Sequence, residues 1–365
     1  MKLYRLGIHD KSLVFSKNKE NKTIYNGKDI LTTLKCEIDN CDQKKWEGAK
    51  KKANPYEYIY TSSKITNNIC HVTPISRSYF KLHEMIKNNN LLENNSFCAC
   101  LAEGPGGFIH CINQLSKYEK INIKNVYGIT LISSDRTIPY WNQNILNHPT
   151  NDIINGVDRT GNLYKYENVE FFINHVGDNY CHLVTADGGF DYSGDYNSQE
   201  TSSYKLIYCE IYTALNIQKQ NGTLIVKMFD LFSYKTIQLL YLLYNCYSLV
   251  EIYKPLTSRS SNSEKYIICS GFRECPLEVK EVLKNYYDNC EELHIDIPES
   301  FIEEINVFNE LFVNSQMKTI KEILKMIKDK SISEKEGPSV DQISKAIKWC
   351  GDYHLPINEK CFFLK

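Results

Sequence analysis

Apolar residues fall in short, near-continuous runs that alternate with stretches of helical spacing. The run around which the others arrange themselves is Phe97 to Leu115, FCACLAEGPGGFIHCINQL. Its first half is small and apolar, its middle is GPGG, and its second half has helical apolar spacing, which predicts a buried strand, a tight turn and a helix. Such a turn leaves backbone N–H groups pointing outward, where the polar end of a ligand can approach. Gly104, Gly106 and Gly107 lack the Cβ atoms that would block that approach.

The alternation continues along the chain. NVYGITLI, VEFFINHV and the first part of CHLVTADGGF read as strands, SSYKLIYCEIYTALNIQKQ as a helix, GTLIVKMF as a strand, YKTIQLLYLLYNCY as a helix, and SLVEIYKP and KYIICSGF as strands. Apolar strands alternating with helices predict an α/β fold whose mainly parallel sheet is covered by helices on both faces. The last two strands lack an intervening helix, which predicts an antiparallel edge strand. Upstream, Ser76 to Leu92 carries Tyr79, Leu82, Met85 and Ile86 at helical spacing, whereas residues 1 to about 65 show no sustained period. From Glu274 onward FIEEINVFNELF, KTIKEILKMIK and VDQISKAIKWC have i, i+3, i+4 spacing, with a break at KEGPS. The expected organisation is an accessory segment (1–65), an α/β domain (66–275) and a helical C-terminal extension (276–365).

Composition narrows this picture. The chain of 365 residues, 42% hydrophobic and 24% charged, is that of a globular protein. It has no run of about 18 apolar residues, and MKLYRLGIHDKSLVF lacks the apolar stretch of a signal peptide, so neither a membrane span nor secretion is expected. Of the 14 cysteines, Cys98, Cys100, Cys181 and Cys269 lie inside apolar strands and none forms a CxxC pair. They read as small buried hydrophobes in a reducing, intracellular compartment, with no metal site. A net charge of −1 means that any nucleic-acid contact must come from a local patch. Lys44 to Lys52, KKWEGAKKK, reads as a solvated helix face or as a phosphate-contacting surface with Trp46 available for stacking.

Ligands of such sheets lie beyond the carboxyl ends of the strands. That rule brings together the GPGG turn, Asp187 after LVTA, and Lys227 near the end of GTLIVKMF. Glu264 opens the final strand, so an antiparallel direction puts it at the same edge. Lys81, on the helix before the turn, makes a fourth charged group, and charges at apolar strand ends are costly unless paired or functional. No Lys-Ser/Thr follows the glycines, which excludes a phosphate-cradling P-loop, and GPGG is not the GxGxxG of dinucleotide folds. Glu103 favours a cationic or amine-bearing ligand, and S-adenosylmethionine fits. A lysine acts as a general base when burial or a second cation lowers its pKa from about 10.4. Lys227, buried and near Lys81, is expected to meet both conditions, with Asp187 and Glu264 holding the ammonium groups. The set suits deprotonation of a ribose 2′-hydroxyl during its attack on a sulfonium methyl, with no metal.

SRSYFK with Lys81, LAEGPGGF, TADGGFD with Asp187, GTLIVKMFDLF with Lys227 and KPLTSRSSNSEKYIICSGF with Glu264 resemble the FtsJ-like ribose 2′-O-methyltransferases. These four residues match that family's Lys-Asp-Lys-Glu tetrad in order. The resemblance covers about residues 53 to 273 and implies a Rossmann-like methyltransferase sheet. NPYE, GVDRTGN and the long TSRSSNSEKY segment most resemble the cap-specific mRNA 2′-O-methyltransferases of eukaryotes and large DNA viruses. By that resemblance S-adenosylmethionine is the cofactor, held by Glu103, Gly104, Pro105, Gly106, Gly107, Phe108, Asp187 and, at the adenine, Asp158. Thr130 stands where many methyltransferases have an acid for the ribose hydroxyls. The implied partner is capped RNA, with other capping or transcription proteins also admitted. Trp46, Lys50, Lys51, Lys52, Arg77, Tyr196 and Asn197 are candidate cap or RNA contacts. The expected location is host cytoplasm or virion for a viral source, and nucleus for a cellular one. A ribosomal or transfer RNA 2′-O-methyltransferase and a catalytically silent RNA-binding protein of the same fold stay open as alternatives.

Overall fold

The computed structural model describes residues 3–15, 23–190, 195–290, 293–329 and 337–365. Eight strands, β1 (Leu3–Arg5), β2 (Ser96–Leu101), β3 (Ile123–Ile129), β4 (Asn151–Ile153), β5 (Cys181–Ala186), β6 (Gln218–Met228), β7 (Tyr247–Tyr253) and β8 (Lys265–Phe272), form one sheet. Its order is β1-β7-β8-β6-β5-β2-β3-β4. The block from β4 to β6 is parallel, while β8 runs antiparallel to both β6 and β7. The mainly parallel sheet with antiparallel strands is therefore as expected. The reversed strand β8 lies inside the sheet, however, and the antiparallel edge is the N-terminal β1, paired with β7.

The helices are α1 (Lys28–Asp39), α2 (Gln43–Ala53), α3 (Ser78–Asn89), α4 (Gly107–Glu119), α5 (Gln143–Leu146), α6 (Tyr166–Val176), α7 (Gln199–Ile217), α8 (Tyr234–Cys246), α9 (Leu277–Asn285), α10 (Glu299–Lys328) and α11 (Val340–Asp352). Apolar side chains of α6, α7, α8, α9 and the first half of α10 form one core with the strands. Those of α3, α4 and α11 form a second with the strands. Each fully buried side chain of the Val, Leu or Phe class contributes about 1.5–3 kcal/mol, and with both cores in place the strands can be apolar along their whole length.

Three readings need correction. VEFFINHV is not a strand but most of α6. Val169, Phe172 and Val176 are its buried apolar residues, a spacing of three and four that only a helix turns toward one neighbour. The strand of that region is the short β4. The aperiodic N-terminal segment contains α1 and α2, whose apolar residues Leu31, Leu34, Ile38, Trp46 and Ala49 pack on Val313, Ile320, Ile323 and Leu324 of α10. FIEEINVFNELF and KTIKEILKMIK are one continuous helix of 30 residues. The break at KEGPS falls between α10 and α11, with Lys335 and Glu336 outside the described residues; Ser339 then opens α11 with a capping box to Gln342. All 14 cysteines are free thiols, with Cys36 exposed, Cys41 half-buried and the rest buried. Among the described residues no helix is long and apolar enough to cross a membrane.

Candidate active site

Strand register assembles the charged groups. Ala186 of β5 pairs with Val226 of β6, so the next residues, Asp187 and Lys227, emerge side by side at the carboxyl ends. Lys227 in turn pairs with Tyr266 across the antiparallel ladder to β8, which places Glu264 just beyond Tyr266 at the same edge. Lys81 reaches in from the first turn of α3.

These residues form two ion pairs. Lys227 Nζ lies 3.1 Å from Asp187 Oδ1 and donates to the Asp187 backbone carbonyl at 2.7 Å. Lys81 Nζ donates to Glu264 Oε2 at 2.8 Å, and Ser258 Oγ donates to Glu264 Oε1 at 2.8 Å. Tyr266 joins the pairs, since its hydroxyl donates to Asp187 Oδ1 at 2.8 Å and its ring lies 5.9 Å from Lys81 Nζ. The four side chains keep 10–15% of their surface exposed. They are desolvated yet reachable from one side.

Burial pushes the Glu264 carboxyl up, but Lys81, Lys227 and Lys254 outweigh it and hold the group at about 2. Lys227 corrects an expectation. Burial does push its ammonium down, but Asp187 and Glu264 outweigh burial and hold it above the ordinary lysine range. In the resting site Lys227 is a firmly held ammonium.

The strand-turn-helix around GPGG is as expected, but its glycines do a different job. Gly106 has φ +107°, a left-handed conformation that favours glycine. A Cβ on Gly107 would lie 2.1 Å from the hydroxyls of Ser76 and Ser78, and one on Gly104 would lie 2.7 Å from the Pro139 carbonyl. These three positions are closed by neighbouring protein and do not open space for a ligand. Glu103 is buried, and its carboxylate accepts from the Phe108 N–H at the start of α4. It thus fills the anion-attracting end of that helix with the chain's own carboxyl group. Burial and the nearby Asp187 push its carboxyl well above the ordinary range. Two carboxyls, Glu103 and Asp187, thus crowd the strand ends, a donor set that suits a cationic ligand.

At the carboxyl end of β3, Thr130 Oγ1 accepts from the Gly104 N–H at 2.9 Å. The GVDRTGN turn lies against it, with Ile132 N–H donating to Thr160 O at 2.7 Å. Asp158 accepts from Thr160 N (2.9 Å), Thr160 Oγ1 (2.7 Å), Asn168 Nδ2 (2.9 Å) and Lys165 Nζ (2.6 Å). Its carboxylate holds the turn together beside the strand end.

The candidate RNA contacts separate. Trp46 is 2% exposed in the core between α2 and α10, which rules out the stacking role considered for it. Lys50, Lys51 and Lys52 form the last turn of α2, where cations face the negative end of the helix dipole; Lys50 pairs with Glu47. Arg77 is not free for phosphate: it donates to Tyr60 O (2.7 Å) and Thr257 O (3.3 Å) and lies 3.3 Å from Glu57. Tyr196 and Asn197 touch α1, through Lys35 Nζ to Tyr196 O (3.3 Å) and Asn197 Nδ2 to Cys36 Sγ (3.6 Å).

Several buried polar residues were missed. Lys35 of α1 donates to Asp230 Oδ2 and Ser263 Oγ, both at 3.0 Å. Arg259 donates to both oxygens of Glu57 at 3.0 and 2.7 Å. Glu210 of α7 accepts from the Gly188 N–H at 3.1 Å. For Glu210 and Asp230 the signal is a single charge inside an apolar run, YCEIY and MFDLF, which buried segments rarely tolerate without a partner; Lys35 and Arg259 stand in polar stretches that carry no such signal.

The family model described as FtsJ-like methyltransferase matches residues 74–272. Cap-specific mRNA (nucleoside-2′-O-)-methyltransferase 1 of Mus musculus is 28% identical over 356 residues, covering 86% of this chain and 41% of that protein. The Homo sapiens protein of that name is 28% identical over 360 residues, covering 86% and 41%. The Dictyostelium discoideum protein is 29% identical over 353 residues, covering 88% and 45%. The chain thus spans less than half the length of the curated relatives it matches. The matched segment holds Lys81, the GPGG turn, Asp187, Lys227 and Glu264, and on that match the chain belongs to the FtsJ-like methyltransferase family.

Proposed function

We propose that this chain methylates the ribose 2′-hydroxyl of the first transcribed nucleotide of capped mRNA, with S-adenosylmethionine as donor. The observation that carries the reading is the convergence of Lys81–Glu264 and Lys227–Asp187 at one sheet edge, within a chain whose relatives are named for cap-specific 2′-O-methylation. S-adenosylmethionine supplies a methyl group activated by a sulfonium. Glu103 and Asp187 suit its positive charges, and Asp158 with the GVDRTGN turn suits its nucleoside end at β3.

Lys227 is the general base. Burial is the largest influence on it and favours the neutral amine, while Asp187, Glu264 and Glu210 oppose that. A second cation sharing those acids tips the balance toward the amine, which then takes the ribose proton. Lys81, anchored by Glu264, sits beside the developing alkoxide, where a fixed positive charge is most stabilising.

The test is transfer of labelled methyl from S-adenosylmethionine to matched RNAs bearing a 7-methylguanosine cap or a bare triphosphate. Transfer to the first nucleotide of capped RNA alone, lost in Lys227→Ala, is the expected result. Equal transfer to both RNAs would replace the cap reading with a structural-RNA substrate.

A further inference from the structure

The Asp187–Gly188 peptide is gripped at both ends. Its carbonyl accepts from Lys227 Nζ at 2.7 Å and its N–H donates to Glu210 Oε1 at 3.1 Å. One amide therefore links the lysine, in series, to a carboxyl on α7. Glu210 is fully buried, and its second oxygen, Oε2, has no hydrogen-bond partner among the described residues. The fit is close: a Cβ on Gly188 would lie 2.4 Å from Glu210 Oε1, 2.6 Å from Leu206 Cδ2 and 2.8 Å from Ala102 Cβ. The turn has no room to slide along α7.

We infer that Glu210 is a positioning residue for methyl transfer: through the Asp187–Gly188 peptide it fixes Lys227 and opposes loss of the lysine's proton. Hydrogen bonds in series polarise one another in a low-dielectric interior. A charged Glu210 strengthens the pull of the Asp187 carbonyl on Nζ, and a neutral one weakens it.

The facing groups set the direction. Lys227 on β6 and Asp187 at the exit of β5 act on Glu210 directly; Glu264 before β8 and Glu103 after β2 act on that pair. Burial pushes the Glu210 carboxyl up to about 8, partly offset by Lys227 and the Gly188 N–H. As pH rises, Glu210 therefore ionises before Lys227 and then resists deprotonation of the lysine. Removing its charge should let Lys227 become a base at lower pH.

The inference rests on Lys227 being the base, so Lys227→Met is measured alongside. The experiment is single-turnover methyl transfer to capped RNA across pH, on the full chain, in wild type and Glu210→Gln. Gln keeps an acceptor for the Gly188 N–H but cannot ionise. The midpoint of the rising limb is expected to fall by about half to one pH unit. The same direction is expected of Glu210→Met, which serves if the Gln variant fails to fold. A midpoint unchanged in the folded variant, even with a lower melting temperature, would reduce Glu210 to a packing role and overturn the inference. Retention of transfer by Lys227→Met would overturn the base assignment itself. Loss of transfer in Lys227→Met together with an unmoved Glu210→Gln midpoint would sink only the role of Glu210.

Discussion

Two buried lysine–acid clusters lie within a few residues of each other at the end of β6, and they are built differently. In the first, Lys227 and Lys81 face Asp187 and Glu264 with side chains 10–15% exposed. In the second, Lys35 meets Asp230 with side chains only 4% and 6% exposed. Ser263 Oγ bridges to Asp230 at 3.0 Å, Gln316 of α10 donates to Ser263 Oγ at 3.3 Å, and Lys265 is held by the carbonyls of Phe229 and Ser263. Burial lowers Lys265 to about 8, with Asp230 opposing, whereas the acids around Lys227 hold that lysine high. The first cluster keeps part of its surface exposed and gathers several acids around Lys227, which suits exchange of a proton with a ligand. The second joins α1, α10 and the loop before β8 through a buried ion pair and hydrogen bonds, which suits a fastening.

Substitutions that separate these roles come in descending order of effect. Lys227→Ala should lower single-turnover methyl transfer by about a hundred- to ten-thousand-fold, the range for loss of a general base. A rate within threefold of wild type would place the chemistry elsewhere. Asp230→Ala leaves Lys35 buried without its acid and should cost about 3–5 kcal/mol of unfolding free energy, read by urea denaturation; a loss under about 1 kcal/mol would show that the second cluster fastens nothing.

Trp46→Ala should also destabilise, by about 3–5 kcal/mol for a buried tryptophan, while the folded fraction keeps its affinity for capped RNA in a filter-binding assay. A selective loss of affinity at unchanged stability would restore the stacking role. The smallest effect is a slope. Glu264 is held at about 2 against an ordinary 4.5, so its contribution to stability is complete above pH 4.5 and is lost as pH falls toward 2. Stability measured across that window should fall less steeply in Glu264→Gln than in wild type; parallel curves would mean that the ion pair with Lys81 contributes nothing to folding.

The proposed tetrad was legible because each member breaks an apolar run at a strand end or follows a recognisable motif, and the parallel register of β5 and β6 was implied by their alternation with helices. Tyr266 and Glu210 were not legible. A tyrosine in KYIICSGF looks like any strand aromatic, and Glu210 acquires meaning only where α7 crosses the Gly188 turn. Arg77 looked like a free cation because two of its partners, Tyr60 O and Thr257 O, are backbone atoms that no side-chain pattern reports, and the third, Glu57, comes from a different segment.

By itself the sequence determined the strand-turn-helix at GPGG, the α/β class and which charged residues stand at the sheet's edge, because burial patterns of period 2 and 3.6 are local properties of a chain. Only the tertiary structure decided that VEFFINHV is helical, that Trp46 is covered by α10, that the N-terminal strand closes the sheet, and that Lys227 rests as an ammonium. Each of those depends on groups brought from distant parts of the chain. Packing and desolvation are set by whichever neighbours arrive, and a segment does not carry its neighbours with it.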